Sequence, residues 1–292
     1  MSSYSIKDLE HLSGIKAHTL RIWEQRYGIL KPERTDTNIR TYDDTDLKLV
    51  LNISLLKDHG YKISEISKMN QSEMSKEVLL ISEKQLNYPD QIHALTISML
   101  DLDEERFEKI ISTNSLQFGF ENMMINIIYP FLSRIGTLWI TGSIGPAQEH
   151  FISNLIRQKL IVAIDGQLLS LRPGAKKYLL YLPEGEMHEL SLLFSNYIIR
   201  SRQNKVIYLG QSLPFNELIF AYHAHKPDYI FTIITSVPGQ DEIQKYVYRL
   251  AKEFPDAKIL LSGYQVIGQD IDCPDNVEIL TQIKYLMDIA LG

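Results

Sequence analysis

The sequence predicts a multidomain chain in which an all-helical front half precedes an α/β domain. Three observations indicate this fold class. The chain has 292 residues, more than the roughly 100–200 residues of one ordinary domain. Helical periodicity with few proline or glycine residues dominates residues 79–170. From residue 176 onward, short apolar runs alternate with helical stretches, which is typical of a parallel sheet covered by helices.

The composition is that of a globular protein, with 45% hydrophobic and 23% charged residues. No run approaches the roughly 18 apolar residues of a membrane helix, and the first residues lack the pattern of a secretory signal. The single cysteine, Cys273, excludes an internal disulfide framework and a cysteine-based zinc site. We therefore expect a cytoplasmic protein with no membrane partner.

Residues 1–69 predict a winged helix-turn-helix head. A first helix over about 5–13 ends at Gly14, and a second over about 17–27 ends at Gly28. Two short helices joined by a glycine-containing turn form a helix-turn-helix, whose second helix presents donors to a DNA groove. The donors expected on its outer face are His18, Thr19, Arg21 and Arg26.

The segment after Pro32 predicts a short hairpin, or wing, with Arg34 and Arg40 exposed to phosphates. A helix follows it, with Asp43 or Asp44 as its cap. The net charge of the chain is −6, yet basic residues outnumber acidic ones between 16 and 40. A basic patch on an acidic chain favours a DNA-binding head on a body that does not bind DNA.

The words "TLRIWEQRYGIL" and "RTYDDTDLKLV" resemble the MerR family of transcriptional regulators over residues 4–69. The version "WEQRYG" is similar to the subgroup that carries large C-terminal sensor domains. The resemblance implies a double-stranded DNA operator and self-association as a dimer or tetramer. It also implies that Arg21, Arg34, Arg40 and Tyr42 contact phosphates, which position the head. One departure is "TNIRTY", where the family has a Gly-Tyr before the arginine.

The middle of the chain predicts a four-helix bundle over 81–172, joined to the head by a polar linker over 70–80. The expected helices lie near 90–100, 103–117, 119–138 and 146–164. The stretch "FENMMINIIYPFLSRIGTLW" is apolar around much of its circumference, as the central helix of a bundle would be.

Residues 173–292 predict a flavodoxin-like doubly wound domain with a five-stranded parallel sheet. The expected strands are 177–182, 205–210, 228–234, 258–263 and 277–280. Helices over 188–202, 214–224 and 239–254 separate the first four strands. Such folds bind ligands beyond the carboxyl ends of the strands.

The residues at those strand ends resemble the cobalamin-binding domain, whose pattern is Asp-x-His-x-x-Gly, then Ser-x-Leu, then Gly-Gly. The resemblance implies that His188 of "EMHELS" is the lower cobalt ligand and that Glu186 orients its ring, an arrangement with a general physical basis. The remaining cofactor-binding positions it implies are Ser191, Ser236, Ser262 and Gly263. The departures from the pattern are Glu186 for Asp, Ser191 for Gly, Pro238 for Leu and Ser262 for Gly, with the bulky Tyr264 next to Gly263.

The bundle carries the Trp-x9-Glu-His signature of the cobalamin-dependent photoreceptor regulators of the MerR family. Trp139 is followed, after nine residues, by Glu149 and His150. The resemblance implies that these three residues cover the upper axial group, typically 5′-deoxyadenosyl, so adenosylcobalamin is the expected cofactor. Those regulators have a cobalt-capturing histidine directly after the tryptophan, and here Ile140 occupies that position. A bis-histidine photoproduct through residue 140 is therefore not expected.

Three hypotheses of function follow. The leading one is a DNA-binding regulator whose assembly and operator binding are controlled by cobalamin, and by light in the photoreceptor version. The second is a regulator of the same architecture that has lost the cofactor and responds to another ligand or to a protein partner. The third, a cobalamin-dependent enzyme module, is disfavoured, because the chain has no separate substrate domain and no phosphate loop, nucleophile elbow or His-Glu-x-x-His motif.

Overall fold

The computed structural model describes residues 4–35, 38–84, 88–140, 144–168 and 170–292. The chain divides into two compact units, Met1–Leu155 and Ile156–Gly292. Helices and one small hairpin form the first unit, and a parallel sheet with helices forms most of the second, so the predicted fold class is confirmed. In the described ranges, no helix is long and apolar enough to cross a membrane.

The head is a helix-turn-helix followed by a small hairpin and two further helices. The side chain of Ser5 accepts a hydrogen bond from the N–H of Asp8 and starts the first helix. Gly14 and Gly28 adopt the left-handed conformation that ends each of the first two helices. The elements are α1 (Ile6–Ser13), α2 (Ala17–Tyr27), β1 (Glu33–Arg34), β2 (Arg40–Thr41), α3 (Asp44–Asp58) and α4 (Ile63–Ile66). The predicted wing is confirmed as the antiparallel pair β1–β2.

The segment predicted as a linker is mostly helical, as α5 (Gln71–Lys84). Met74 and Val78 lie four residues apart and are both buried, so they share the face that packs on α3. The other residues between 71 and 77 are polar, so the sequence shows no apolar periodicity that would indicate a helix there. The head also contacts the bundle directly, through the ion pair of Lys48 with Asp101.

The bundle is built around α6, rather than around the apolar stretch after residue 119. Every residue from 90 to 100 is buried, and α6 packs against α3, α5, α7 and α9. The elements are α6 (Tyr88–Asp101), α7 (Glu104–Phe118), α8 (Phe120–Met123), a π-helical turn (Met124–Ile128), α9 (Tyr129–Ile140) and α10 (Pro146–Asp165). The π turn lies in the segment predicted to be the central helix.

The second unit contains a five-stranded, all-parallel sheet with the strand order β4-β3-β5-β6-β7. This is the predicted doubly wound topology. The elements are β3 (Lys177–Pro183), α11 (Leu190–Ser201), β4 (Lys205–Leu213), α12 (Phe215–His225), β5 (Tyr229–Ile233), α13 (Gln240–Glu253), β6 (Lys258–Ser262), β7 (Val277–Ile279) and α14 (Ile283–Leu291).

Each face of the sheet has its own apolar core. Helices α12 and α13 cover one face, and α11 and α14 cover the other. The sequence does not predict helix α14, although its residues Leu286 and Ala290, four positions apart, are buried against the sheet. Because all strands are parallel, the loops after β3, β5 and β6 meet at one edge of the sheet. That edge carries the candidate site.

Candidate cofactor site and nucleic-acid interface

The loop after β3 places one carboxylate in the interior and one imidazole at the surface. The side chain of Glu186 is 0% exposed and that of His188 is 62% exposed. The carboxylate atom Oε1 of Glu186 lies 2.5 Å from Nδ1 of His188. The same oxygen accepts hydrogen bonds from the main-chain N–H groups of Met187 at 3.0 Å and His188 at 3.1 Å. Glu186 thus fixes both the ring and the main chain of His188.

The second carboxylate oxygen of Glu186 is held by the loop after β5. Its Oε2 accepts hydrogen bonds from the N–H groups of Thr235 at 2.9 Å, Ser236 at 2.7 Å and Val237 at 3.3 Å. The hydroxyl of Ser236 also donates to it, at 3.1 Å. Successive main-chain N–H groups that converge on one oxygen form a site for an anion. The buried carboxylate therefore ties the two strand-end loops together.

These contacts decide the charge of Glu186 and the tautomer of His188. Burial alone would raise the pKa of Glu186, but the hydrogen bonds from His188 and from the main chain of Ser236 and Thr235 outweigh it and hold that pKa well below its usual value. The ionised carboxylate accepts from Nδ1 of His188, which leaves Nε2 as the ring nitrogen suited to metal coordination. A single histidine nitrogen oriented in this way would suit coordination of a metal ion such as cobalt.

Strand β4 supports the same loop from its other side. The side-chain Nε2 of Gln211 donates to the carbonyl oxygen of Met187 at 2.8 Å. The N–H of Ser212 donates to the carbonyl oxygen of Glu186 at 3.2 Å, and the Ser212 hydroxyl accepts from the N–H of Gly185 at 3.0 Å. The sequence did not predict these roles. The strand was expected to end at residue 210, and Ser212 reaches its position only through a positive φ of 49°.

The other predicted cofactor residues lie around this edge in different settings. Ser191 is half-buried in the first turn of α11. The hydroxyl of Ser262 donates to the carbonyl oxygen of Leu280 at 2.9 Å, so it serves the packing of β6. Gly263 has a φ of 104°, and a Cβ added there would lie 2.5 Å from the carbonyl oxygen of Ile234. Residue 263 must therefore be small, because the backbone of Ile234, directly after β5, lies against it.

The predicted cap residues lie at the junction of α9 and α10. Trp139 belongs to α9, and its side chain lies outside the described residues, as does that of Ile140. Glu149 and His150 are paired with each other, with 2.7 Å between Oε2 and Nδ1, and their side chains are 31% and 71% exposed. The hydroxyl of Ser153, one turn further on, donates to Oε1 of Glu149 at 2.6 Å.

The head presents most of its predicted DNA contacts to solvent. The exposed residues of α2 include His18, Arg21 and Arg26, whereas Thr19 is half-buried. The hydroxyl of Thr19 lies 3.3 Å from Nε2 of His18. His18, Thr19 and Arg21 lie in the first half of α2, the part that a groove-inserted helix brings to the DNA.

The wing residues are placed less uniformly. Arg34 is exposed, and its guanidinium donates to Oδ1 of Asn38 at 2.6 Å. Arg40 forms an ion pair with Glu24 of α2 at 3.1 Å. Tyr42 is only 2% exposed and pairs through its main chain with Tyr4. Tyr42 was expected to contact a DNA phosphate, but in the structure its side chain is buried in the head.

Two family models match separate parts of the chain. Residues 4–73 match the model described as "MerR HTH family regulatory protein". Residues 91–163 match the model described as "B12 binding domain". The first match covers the head, including its hairpin, and the second covers most of the bundle.

The chain is also similar to curated proteins over most of its length. It is 27% identical over 260 residues to the HTH-type transcriptional repressor CarH of Myxococcus xanthus, covering 87% of this chain and 86% of that protein. It is 26% identical over 227 residues to the HTH-type transcriptional repressor CarA of the same organism, covering 77% and 74%.

A solved structure shares the fold. The monomethylamine corrinoid protein of Methanosarcina barkeri aligns with a TM-score of 0.52 and 11% identity, and the alignment covers 66% of this chain and 93% of that one. At this identity, the likeness concerns the fold alone.

Proposed function

We infer that this transcriptional regulator, which joins a MerR-type helix-turn-helix head to a B12 binding domain, binds cobalamin and that cobalamin controls its assembly and its affinity for DNA. The observation that carries the proposal is the pair formed by His188 and the buried carboxylate of Glu186. Metal-binding histidines are commonly oriented by a carboxylate in this way, and the carboxyl ends of the strands are where folds of this kind bind their ligands.

Different residues of the chain would have different roles in holding the cofactor. Nε2 of His188 would coordinate cobalt, and Glu186 would keep the ring oriented and electron-rich. Ser236 joins the same site by its hydrogen bonds to Glu186. By their match to the photoreceptor signature, Trp139, Glu149 and His150 would cover the upper face. Cobalamin held by these residues would supply a cobalt centre with an exchangeable ligand, expected to be 5′-deoxyadenosyl.

Control of DNA binding requires a difference in affinity between two states of the protein. A ligand shifts an assembly equilibrium only if it binds one assembly more tightly than the other. A head of this type binds a two-fold operator as a dimer, so a change in the number of paired heads changes operator affinity. We propose that cobalamin acts on self-association and that light acts through its upper ligand.

The proposal is tested by loading the purified chain with adenosylcobalamin in the dark and desalting it. We expect a coloured protein, a shift in elution volume and a change in DNA affinity on loading, and a second change in all three after illumination. His188→Ala is expected to elute colourless. The matched control is His225→Ala, an exposed histidine at the end of α12, which should retain the colour.

A colourless wild-type protein would favour the second hypothesis, a regulator of the same architecture that responds to another ligand. Tyr264 motivates this alternative, because this bulky residue directly follows Gly263, is 74% exposed and could narrow the path of the nucleotide tail. Tyr264→Gly distinguishes the two cases. Colour gained in that variant would identify a blocked channel, and continued absence of colour would point to a different ligand.

The DNA-binding role of α2 gives a quantitative expectation. Arg21→Gln should weaken binding to a duplex that the wild-type protein selects from a randomised pool, because an exposed guanidinium that neutralises a phosphate is lost. The slope of log K against log salt should decrease in magnitude by about 0.9 for each contact removed.

The control for Arg21→Gln is Lys7→Gln, which changes the net charge equally on the exposed face of α1. If both variants lower the salt slope equally, the effect is one of net charge and α2 has no special place in the interface.

A further inference from the structure

An ion-pair cluster adjoins the histidine site and connects three elements of the second unit. Arg157 of α10 forms an ion pair with Glu189, the residue directly after His188. The other oxygen of the same carboxylate, Oε1, accepts a hydrogen bond from the hydroxyl of Tyr208 on β4 at 2.9 Å. The Glu189 side chain is only 13% exposed and that of Arg157 is 39% exposed. The cluster is therefore partly shielded, where a charge-assisted contact is worth more than at the open surface.

Strand β4 has an irregular backbone next to Tyr208. The pairing register of β3 with β4 shifts between Leu180 and Tyr181, because Tyr208 faces Leu180 while Gly210 faces Tyr181. This is a β-bulge, and Gly210 adopts a positive φ of 78° within it. Bulges re-aim side chains and are frequent next to functional sites. Here a Cβ on Gly210 would approach both the Tyr208 ring at 3.6 Å and Oε1 of Glu189 at 3.9 Å.

Helix α10 extends the connection along its length. It runs without interruption from Pro146 to Asp165, and Arg157 follows His150 by seven residues, or roughly two turns. Residues at this spacing lie on the same face of a helix. His150 and Arg157 therefore lie on the same face of α10, and Glu189 contacts this face through Arg157.

We propose that Glu189 is a positioning residue that couples the His188 loop to α10, so that occupation of His188 by a ligand changes the order of that helix. This inference rests on the proposed function for the identity of the ligand. Contacts from Gln211, Ser212 and the loop after β5 fix the first part of the loop. Glu189 fixes the end of the loop, and it does so against α10 through Arg157 as well as against β4 through Tyr208. Any shift of the main chain at His188 on ligand binding would therefore reach Arg157 through the carboxylate of Glu189.

The test is amide hydrogen exchange of the full-length protein with and without adenosylcobalamin in the dark. In the wild-type protein, loading should slow exchange in peptides from both 184–190 and 157–165. Arg157→Gln should retain the bound colour and the protection of 184–190 but lose most of the protection of 157–165. Arg157→Lys, which keeps a donor for Glu189, should restore at least half of it. Glu278→Gln, which removes a surface partner of Lys258, should behave as the wild-type protein.

The outcomes separate this inference from the proposed function. Protection of 157–165 that persists in Arg157→Gln would overturn the coupling while leaving cobalamin binding intact. If the wild-type protein takes up no cobalamin, the proposed function fails, and the unloaded proteins decide the coupling. Arg157→Gln should then exchange about fivefold faster than the wild-type protein within 184–190, and equal rates would overturn it.

Discussion

Glu186→Gln is expected to lower the free energy of unfolding by about 2–4 kcal/mol and to weaken cobalamin retention at least about tenfold. Both oxygens of the carboxylate accept main-chain hydrogen bonds, from Met187 and His188 on one side and from Thr235 and Ser236 on the other. Glutamine carries an NH₂ group in place of one oxygen. Whichever way the amide points, donors face donors in a fully buried site.

The same substitution should change how stability depends on pH. The pKa of Glu186 in the folded chain lies below the ordinary value of 4.5, so its stabilising contribution is fully present above pH 4.5. It is lost progressively as the pH falls below that value, because the unfolded chain then takes up a proton at Glu186 while the folded chain still holds the carboxylate ionised. The difference in urea unfolding between wild type and Glu186→Gln should therefore be largest near neutral pH and shrink in acid.

Glu184→Gln provides the matched control for Glu186→Gln. Glu184 lies two residues earlier in the same loop and is exposed, so its replacement should change the stability by less than about 0.5 kcal/mol. Equal losses in the two variants would show that the buried hydrogen bonds of Glu186 contribute nothing beyond loop charge.

Gly263→Ala is expected to destabilise the chain by about 3 kcal/mol, the sum of overpacking and of a left-handed conformation. The added Cβ would lie 2.5–2.8 Å from the carbonyl oxygen, carbonyl carbon and nitrogen of Ile234. These are backbone atoms of a segment that also pairs with Ser262 and Gln265, so they cannot move cheaply.

The same clash should reach the cofactor site. Ile234 directly precedes Thr235, whose N–H contacts Glu186, and cobalamin retention should fall together with stability. Gly174→Ala is the control, because Gly174 has a similar positive φ of 75° with nothing within 4 Å. It should cost about 1 kcal/mol and leave cobalamin retention unchanged. Equal effects of the two variants would refute the close approach to Ile234.

The sheet topology and the place of the candidate site could be predicted from the sequence, because buried parallel strands appear as short continuous apolar runs. Runs such as "KYLLYL" and "KILLSG" are apolar on both faces, and helical stretches separate them. Once the strands are parallel, their carboxyl ends must share one edge, so Glu186, His188 and Ser236 had to be neighbours. Their hydrogen-bonding roles did not follow, because Ser236 contacts Glu186 largely through its main-chain N–H.

The central helix of the bundle could not be recognised from hydrophobic periodicity. Helix α6 is buried on all sides, yet it contains Asp90, Gln91, His93, Thr96 and Ser98. Several of these polar groups have partners that the sequence does not reveal. Asp90 lies 3.3 Å from His59 of the head, and Gln91 accepts from Asn114 at 3.0 Å. Long-range pairing permits the burial of polar residues that a hydrophobic pattern would assign to the surface.

The burial of Tyr42 has a similar cause. The sequence places it close to Arg34 and Arg40, which were both expected to face phosphates, but the wing is short and the chain turns back into the head at Tyr42. There the main chain of Tyr42 pairs with Tyr4 through hydrogen bonds of 2.8 and 3.0 Å. A bridge between residues 38 positions apart leaves no local pattern, so position in the wing alone suggested exposure.

The loop that carries His188 is held on both sides before any ligand arrives. Gln211 and Ser212 hold it from β4, and Thr235 and Ser236 hold Glu186 from the other side. A prepared coordinating group loses little conformational entropy when it binds. Association at this loop should therefore need no slow ordering step, and differences in affinity among variants of its supporting residues should reside mainly in the rate of dissociation.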